Sequence, residues 1–474
     1  MSGTSPDLAA RARLEAELLS RRRGPAPTVP ALPRGPGTRY FPASPAQEGM
    51  WAEIQEDPLP APLILAGVRL RGPLDRDLLT RALHEMVARH ETLRTTLRVR
   101  DGRLTQVVAP PGTPAIPVTD IAATDFAPVT WAEVDRPFDL EREPLFRLRL
   151  LRLAPDDHIV MLVLHHLIGD ARALEIFVRD LTAHYLALRA GDRTTLPPLA
   201  VQYGDFATWF HGHLAAGRGA ALRDYWRRRL DGAAEAVLPT DLEPPGDGSV
   251  RGHTLYFPVR AETVAGAQRL AAARQATLFM VGCAAFQTLL SRYSGQRDQC
   301  VRVPISYRDW PEVEDLVADF SNDIVFRVDL SANPTFARLV DVVRDSALRD
   351  FAYRELPPHL LADRLPDPGL LARLFRVQFT TEADPEVELP DAGLRAELMP
   401  PPWQYAFRPL ALRLRSTPDG WYCIATYRTA NFSEQRISDL VHDYLDLLVE
   451  LTTHPDRPIF GGDGQPPLPR LRVR

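Results

Sequence analysis

The chain contains no lysine; all 56 of its basic residues are arginine. Chemistry that depends on a lysine is excluded: Schiff-base catalysis, attachment of pyridoxal phosphate and the phosphate-gripping lysine of a P-loop. Cysteine is nearly as scarce. The three present, Cys283, Cys300 and Cys423, have no metal-ligand spacing, and Cys283 lies in the apolar run 280–286, where a buried thiol is expected. This usage fits a reducing, cytoplasmic setting. No uninterrupted apolar stretch reaches the roughly 18 residues a membrane span needs, and the opening residues lack the apolar core of a signal peptide. The net charge of −5 gives no electrostatic reason to expect nucleic acid or an anionic membrane as partner.

What is present is the composition of an ordinary globular protein, 45% hydrophobic and 25% charged over 474 residues. That length exceeds what one hydrophobic core usually supports, so two lobes are expected. Residues 1–38 combine a short helical pattern (Leu8, Ala9, Leu14, Leu18, Leu19) with Arg21-Arg22-Arg23 and a Pro/Gly-rich stretch, and are read as a tail or linker. Residues 39–192 form the first lobe, 193–248 a loose connecting segment with a helical interlude, 249–460 the second lobe, and 461–474 a C-terminal tail. Apolar residues at helical spacing predict helices over 74–89, 171–188, 261–275, 278–293 and 433–453. Runs at 93–99 and 104–108 flank Asp101-Gly102, a strong hairpin signal. Further strands are expected at 146–153, 159–164, 254–259, 300–304, 324–330, 375–381, 410–415 and 421–427. Helices and strands mix in both halves, which makes the fold class α/β or α+β, without a short internal repeat.

Most chemistry-bearing motifs are missing. There is no Gly-x-Ser-x-Gly elbow and no His-Glu-x-x-His run. His211 and His213 lack nearby acidic or thiol residues, so they are read as surface residues and no metal site is expected. Gly461-Gly462-Asp463-Gly464 has glycine where a carrier-protein attachment site needs serine. The remaining candidate is His165-His166-Leu167-Ile168-Gly169-Asp170-Ala171. Its histidines fall where an apolar strand gives way to an amphipathic helix, a place from which side chains reach into a cleft. Gly169 is read as permitting a tight backbone path. Asp170 is placed to cap the helix beginning at Ala171 and to pair with a nearby cation.

This stretch resembles the His-His-x-x-x-Asp-Gly motif of the condensation domains of nonribosomal peptide synthetases, in the chloramphenicol acetyltransferase-like superfamily. The resemblance covers nearly the whole chain in order. Phe41–Gln47 with Trp51, Arg89–Thr95, Tyr203–Trp209, Val303–Arg308, and Phe320–Asp323 with Arg327 are similar to further motifs of that family. It implies two lobes in a V-shaped arrangement with a central tunnel, and transfer of a carrier-bound acyl or aminoacyl thioester to an amine or hydroxyl acceptor. His166 would be the general base or the positioner of the nucleophile, with His165 beside it. Asp170 would pair structurally with Arg308, and Arg89 and Arg94 would support the first lobe. Asn322 and Ser321 would lie at the tunnel wall with Gly169 and Ala171. No cofactor would be bound by the chain itself, since the phosphopantetheine arm arrives on a peptidyl or acyl carrier protein in trans. The acceptor would be a small amine or alcohol, or a second carrier protein.

The sequence departs from the family pattern at Ala171, where the motif has glycine, at Tyr307, where a small residue precedes the arginine, and at Asp323, where threonine is usual. No adenylation or carrier domain accompanies these motifs, so a free-standing enzyme is expected. Two other readings stay open: a catalytically silent recruitment domain, and a coenzyme A-dependent acyltransferase of the same superfamily.

Overall fold

The computed structural model describes residues 28–56, 62–243, 249–362, 365, 367, 369–383, 393–399, 402 and 404–461. The helical pattern and arginine triplet of residues 8–23, and Gly462–Gly464, lie outside them.

In the first lobe, β1 (Arg39–Pro42) leads into α1 (Pro45–Glu56), β2 (Leu63–Arg71), α2 (Arg76–Arg89), β3 (Thr95–Arg100) and β4 (Arg103–Val108). There follow β5 (Val118–Asp120), α3 (Phe126–Asp135), β6 (Phe146–Ala154), β7 (Asp157–His165) and α4 (Ala171–Ala190). The β3–β4 hairpin turns on Asp101 and Gly102, both at positive φ (50° and 75°), as a two-residue hairpin with right-handed strand twist requires. The segment 93–99, read from sequence as one strand, opens instead as a single 3₁₀ turn over Glu91–Arg94. Leu79, Leu83, Met86 and Val87 of α2 and Ile176, Phe177 and Tyr185 of α4 are buried together with one face of the sheet. Strand β7 is central there and buried along most of its length, which explains its unbroken apolar run.

The connection contributes α5 (Tyr203–His213) and α6 (Gly219–Arg229). The second lobe then runs through β8 (Gly252–Val259), α7 (Ala261–Ala273), α8 (Leu278–Ser294), β9 (Asp298–Ser306), β10 (Ser321–Asp329) and α9 (Phe336–Phe351). It continues with β11 (Val377–Ala383), β12 (Arg395–Met399), β13 (Leu410–Thr417), β14 (Gly420–Arg428) and α10 (Glu434–Thr453). Its sheet has the order β10-β9-β11-β13-β14-β8, and α8, buried over nearly its whole length, lies in that lobe's core. Cys283, Cys300 and Cys423 are free and buried in this lobe, where burial pushes the thiols up and keeps them protonated.

Three features join the lobes. Strand β12 leaves the second lobe and pairs antiparallel with the edge strand β2 of the first, Arg395 opposite Arg71 and Met399 opposite Gly67. The loop 307–320 docks against the first lobe. An aromatic cluster of Tyr203, Phe206 and Phe210 from α5 with Tyr307, Trp310 and Phe320 fills the junction, the Phe206 and Phe320 rings lying 4.8 Å apart. Residues 28–38, placed in the tail from sequence, take part in this packing. Val29 is buried in the cluster, and Arg34 bonds Asp205 at 2.8 Å and Glu91 at 3.2 Å.

Candidate active site

The two histidines end β7 and open a single 3₁₀ turn, His166–Ile168, before Asp170 caps α4. Adjacent residues of an extended strand point to opposite faces, and the pair divides accordingly. His165 turns inward. Its Nδ1 accepts the Leu167 N–H at 3.1 Å, its ring meets Phe138 edge-on at 5.8 Å, and only 1% of it is exposed. Burial, with His166 and Arg147 adding to it, lowers its pKa to about 3, so His165 is a neutral brace for the turn.

This has a consequence for stability. A histidine that stays neutral when folded but protonates near 6.5 when unfolded draws the chain toward unfolding as pH falls below 6.5, until the folded pKa of about 3 is reached. At pH 5 that amounts to about 2 kcal/mol relative to pH 7.5. His165→Asn, which keeps an acceptor near the Nδ1 position, is expected to lose about that much of the acid sensitivity in denaturant titrations at the two pH values. Equal sensitivity in both proteins would contradict the assignment.

His166 faces the other way, with 28% of its side chain exposed. Its Nδ1 is buried and without a hydrogen bond, yet lies 3.6 Å from Asp319 Oδ1, an ion-pair separation. Burial alone would depress the imidazole; the carboxylate of Asp319, helped by Asp170, outweighs it and the net direction is upward. Asp319 is buried and fixed: Ser321 donates to its Oδ1 from backbone N at 2.9 Å and from Oγ at 2.6 Å.

Asp170 carries three bonds. Its Oδ1 accepts from Ala173 N at 2.7 Å and from Arg308 Nη2 at 3.0 Å, and its Oδ2 accepts from Phe320 N at 2.9 Å. Arg308 also donates to the carbonyls of Val313, Leu316 and Ala318 at 2.7–3.1 Å, so one buried guanidinium gathers the whole 307–320 loop. The segment Arg89–Thr95 clamps the same loop from the other side. His90 Nδ1 accepts the Val317 N–H, and Thr92 Oγ1 donates to the Val317 carbonyl. Arg89 reaches Asp180 of α4 at 3.0 Å, while Arg94 bonds the Val87 and Ala109 carbonyls; both are supports away from His166. The opening segment closes the ring: Gln47 Nε2 donates to Leu167 O at 2.8 Å, and the Tyr203 hydroxyl spans Ser44 Oγ (2.9 Å) and the Asp319 carbonyl (2.8 Å).

Other sequence candidates have different places. Gly169 has φ −168°, an extended conformation open to any residue, so the tight-path reading is corrected. Glycine is needed because a Cβ there would lie 2.3 Å from Leu164 Cδ2 and 3.2 Å from Ala173 Cβ. Gly169→Ala is expected to cost about 1–3 kcal/mol by overpacking, seen as a lower denaturation midpoint; an unchanged midpoint would show that the Leu164 side chain yields freely. Ala171 is the exposed first residue of α4. Asn322 is taken up by backbone, donating to the Arg354 and Leu356 carbonyls at 2.6 and 2.8 Å, and Ser321 serves Asp319. Asp323 pairs with Arg302 at 2.6 Å, and Tyr307 is buried among the junction aromatics. His211 and His213, read as surface residues, are half-buried: His211 bonds the Ala43 carbonyl and His213 stacks on Trp209 beside Glu355. Among the described residues no group of three or more His, Cys, Asp or Glu side chains is disposed to hold a metal, and no helix is long and apolar enough to cross a membrane.

Sequence reasoning does not single out Asp319. It stands five residues after Glu314 in a loop with several acids, and only the docking of that loop brings it to His166. Chemically, the site offers an imidazole with one buried nitrogen facing a fixed carboxylate and the rest of the ring open, an arrangement able to accept and return a proton.

A family model described as "Condensation domain" matches residues 38–460. The dimodular nonribosomal peptide synthase of Bacillus subtilis is 32% identical over 451 residues, which is 91% of this chain and 19% of that protein. The phosphinothricin tripeptide synthetase PhsC of Streptomyces viridochromogenes is 35% identical over 370 residues, 76% of this chain and 34% of its own length. The chain thus spans well under half the length of these relatives. Among solved structures, the X-domain from teicoplanin biosynthesis superposes with a TM-score of 0.79 at 25% identity, covering 92% of this chain and all of that one; the same X-domain is also solved in complex with OxyB. The SgcC5 protein from Streptomyces globisporus, solved with a naphthyl ethanediol, superposes with a TM-score of 0.71 at 27% identity over 88% of this chain and all of its own.

Proposed function

Since the chain belongs to the condensation-domain family of nonribosomal peptide synthetases, we propose that it is an acyltransferase, moving a carrier-bound acyl or aminoacyl thioester onto an amine or hydroxyl acceptor. The observation that carries this reading is His166: a partly exposed imidazole at the exit of a buried strand, backed by a buried carboxylate and set on a turn locked by His165, Gln47 and the Asp170–Arg308 pair. Such a group can take the proton that the acceptor loses and deliver it to the departing thiol. The carrier protein's phosphopantetheine arm would supply the thioester, reaching His166 through a passage between the lobes. The acceptor would come as a small molecule or on a second carrier.

A second reading has a specific observation behind it. The X-domain is among the closely superposing structures, and it has been captured with a partner enzyme, OxyB. On this reading the chain would recruit a tailoring enzyme and catalyse nothing.

The test is incubation of the purified chain with loaded acyl or aminoacyl carriers, supplied in trans, and a panel of amine and alcohol acceptors, followed by mass spectrometry. The acyltransferase reading requires new amide or ester. Failure across the panel, together with saturable binding of the loaded carrier, would favour recruitment. Equal turnover with free coenzyme A thioesters would overturn the carrier-bound donor.

A further inference from the structure

We propose that Asp319 and His166 form a carboxylate–imidazole dyad that suits this site to a hydroxyl acceptor, so that the bond it makes is an ester. The inference rests on the acyl-transfer reading above and narrows its acceptor.

The geometry comes first. Nδ1 of His166 is buried, lacks a hydrogen bond and lies 3.6 Å from Asp319 Oδ1. In the dyad proposed, Nδ1–H donates to that carboxylate and Nε2 is left to take the acceptor's proton. The carboxylate cannot swing away to meet solvent. Both Ser321 donors hold its Oδ1, the Tyr203 hydroxyl holds its own carbonyl, and Val317 two residues earlier is clamped by His90 and Thr92. The charged and titratable groups around His166 are few. Asp319 faces it from the docking loop, and Asp170 from the start of α4 already shares its charge with Arg308. His165 from β7 is kept neutral by burial. Asp319 is thus the carboxylate whose charge falls most directly on the ring, and the upward direction of the His166 pKa agrees.

The acceptor follows from acid–base chemistry. A neutral amine attacks a thioester with its own lone pair and sheds a proton from an acidic ammonium afterwards, for which an unassisted imidazole suffices. An alcohol is a far weaker acid and must lose its proton as the C–O bond forms. A histidine held in one tautomer and strengthened by a buried carboxylate is how a hydroxyl is made nucleophilic. In the step proposed, the alcohol oxygen bonds to the thioester carbonyl carbon while its proton passes to His166 Nε2. The tetrahedral adduct then collapses with cleavage of the C–S bond, and the proton on Nε2 goes to the leaving thiolate, giving ester and free thiol. Asp319 touches neither reactant; it is a positioning residue acting through His166.

The experiment offers the full chain a set of aminoacyl pantetheine thioesters with benzyl alcohol or benzylamine, acceptors that differ only in the attacking group, with uncatalysed rates subtracted. Asp319→Asn is expected to lower ester formation by about 100-fold or more and amide formation by less than about 5-fold, and to move the acidic limb of the pH–rate profile to lower pH. The ring resonances of His166, assigned by comparison with His166→Gln, should titrate at lower pH in the same variant. Should Asp319→Asn fail to fold, Ser321→Ala, which releases one donor from the carboxylate, should still depress ester formation several-fold more than amide formation. Equal losses with the two acceptors, or amide as the sole product, would overturn the hydroxyl assignment while acyl transfer stands. No product with either acceptor would overturn acyl transfer itself, and with it the acceptor, whereas the shift in the His166 titration reports on the dyad in every case.

Discussion

His166→Ala is expected to lower acyl transfer by about 10²–10⁴-fold, the range for removal of a general base, while the protein unfolds close to the wild-type denaturant midpoint. The His166 Nδ1 makes one ion-pair contact, at 3.6 Å, and no hydrogen bond among the described residues. Asp319, its partner, keeps both Ser321 donors after the truncation, and the loop that carries it stays tied by Arg308, His90 and Thr92. His165→Ala should give the opposite signature. That ring is buried and holds the Leu167 N–H, so its loss leaves a cavity and an unpaired donor at the turn, and stability should fall along with rate. Product formation and chemical denaturation on the two variants check the contrast. Wild-type turnover in His166→Ala would remove His166 from the chemistry.

Much of the frame is legible in the sequence because its elements carry their own local signals. The unbroken apolar run of β7, the Asp101-Gly102 turn and the helical spacing in α2, α4, α8 and α10 all point to the elements observed. What escapes depends on distant partners or on signals diluted by charge. Strand β12 is a short piece, Arg395–Met399, whose partner β2 lies more than 300 residues away and meets it only when the lobes dock, Arg71 then pairing with Glu397 at 2.8 Å. Strand β2 itself, Leu63–Arg71, is absent from the sequence-based expectations although its residues are mostly apolar. Helix α9 is absent from them too, although Phe336, Leu339, Val340, Val343 and Ala347 mark a buried face at helical spacing. The same division runs through the site. His165, His166 and Asp170 are contiguous and stand out as a group. Asp319 comes from another lobe's loop, and it is brought within reach by distant partners: Arg308, the Arg89–Thr95 segment, Asp170 and Tyr203. The reverse error concerns Gly169, whose need for glycine lies in the Leu164 side chain packed against it and not in its backbone angles.

The largest loss of stability should come from Asp170→Ala, expected at about 3–5 kcal/mol, because it strips the partner from a buried guanidinium. The carboxylate serves three donors at once. Without it α4 loses its cap, worth about 1 kcal/mol, the Phe320 N–H loses its acceptor, and Arg308 keeps three carbonyls but no counter-charge. The last effect dominates, and it can be isolated. Adding Arg308→Met to Asp170→Ala removes the stranded charge and leaves an apolar chain of similar reach against Phe320, over whose ring the guanidinium now lies at 4.5 Å. The double variant should therefore be more stable than Asp170→Ala alone, although two residues rather than one have been changed. Its transfer rate should not recover in step, since Arg308→Met takes from the three carbonyls the donor that gathers the 307–320 loop and helps place Asp319 beside His166. Denaturant titrations of the two singles and the double give the coupling energy directly. If Asp170→Ala unfolds at the wild-type midpoint, the pair does not hold the loop, and the position of Asp319 is owed to its remaining ties, the His90 and Thr92 clamp and the Tyr203 hydroxyl among them.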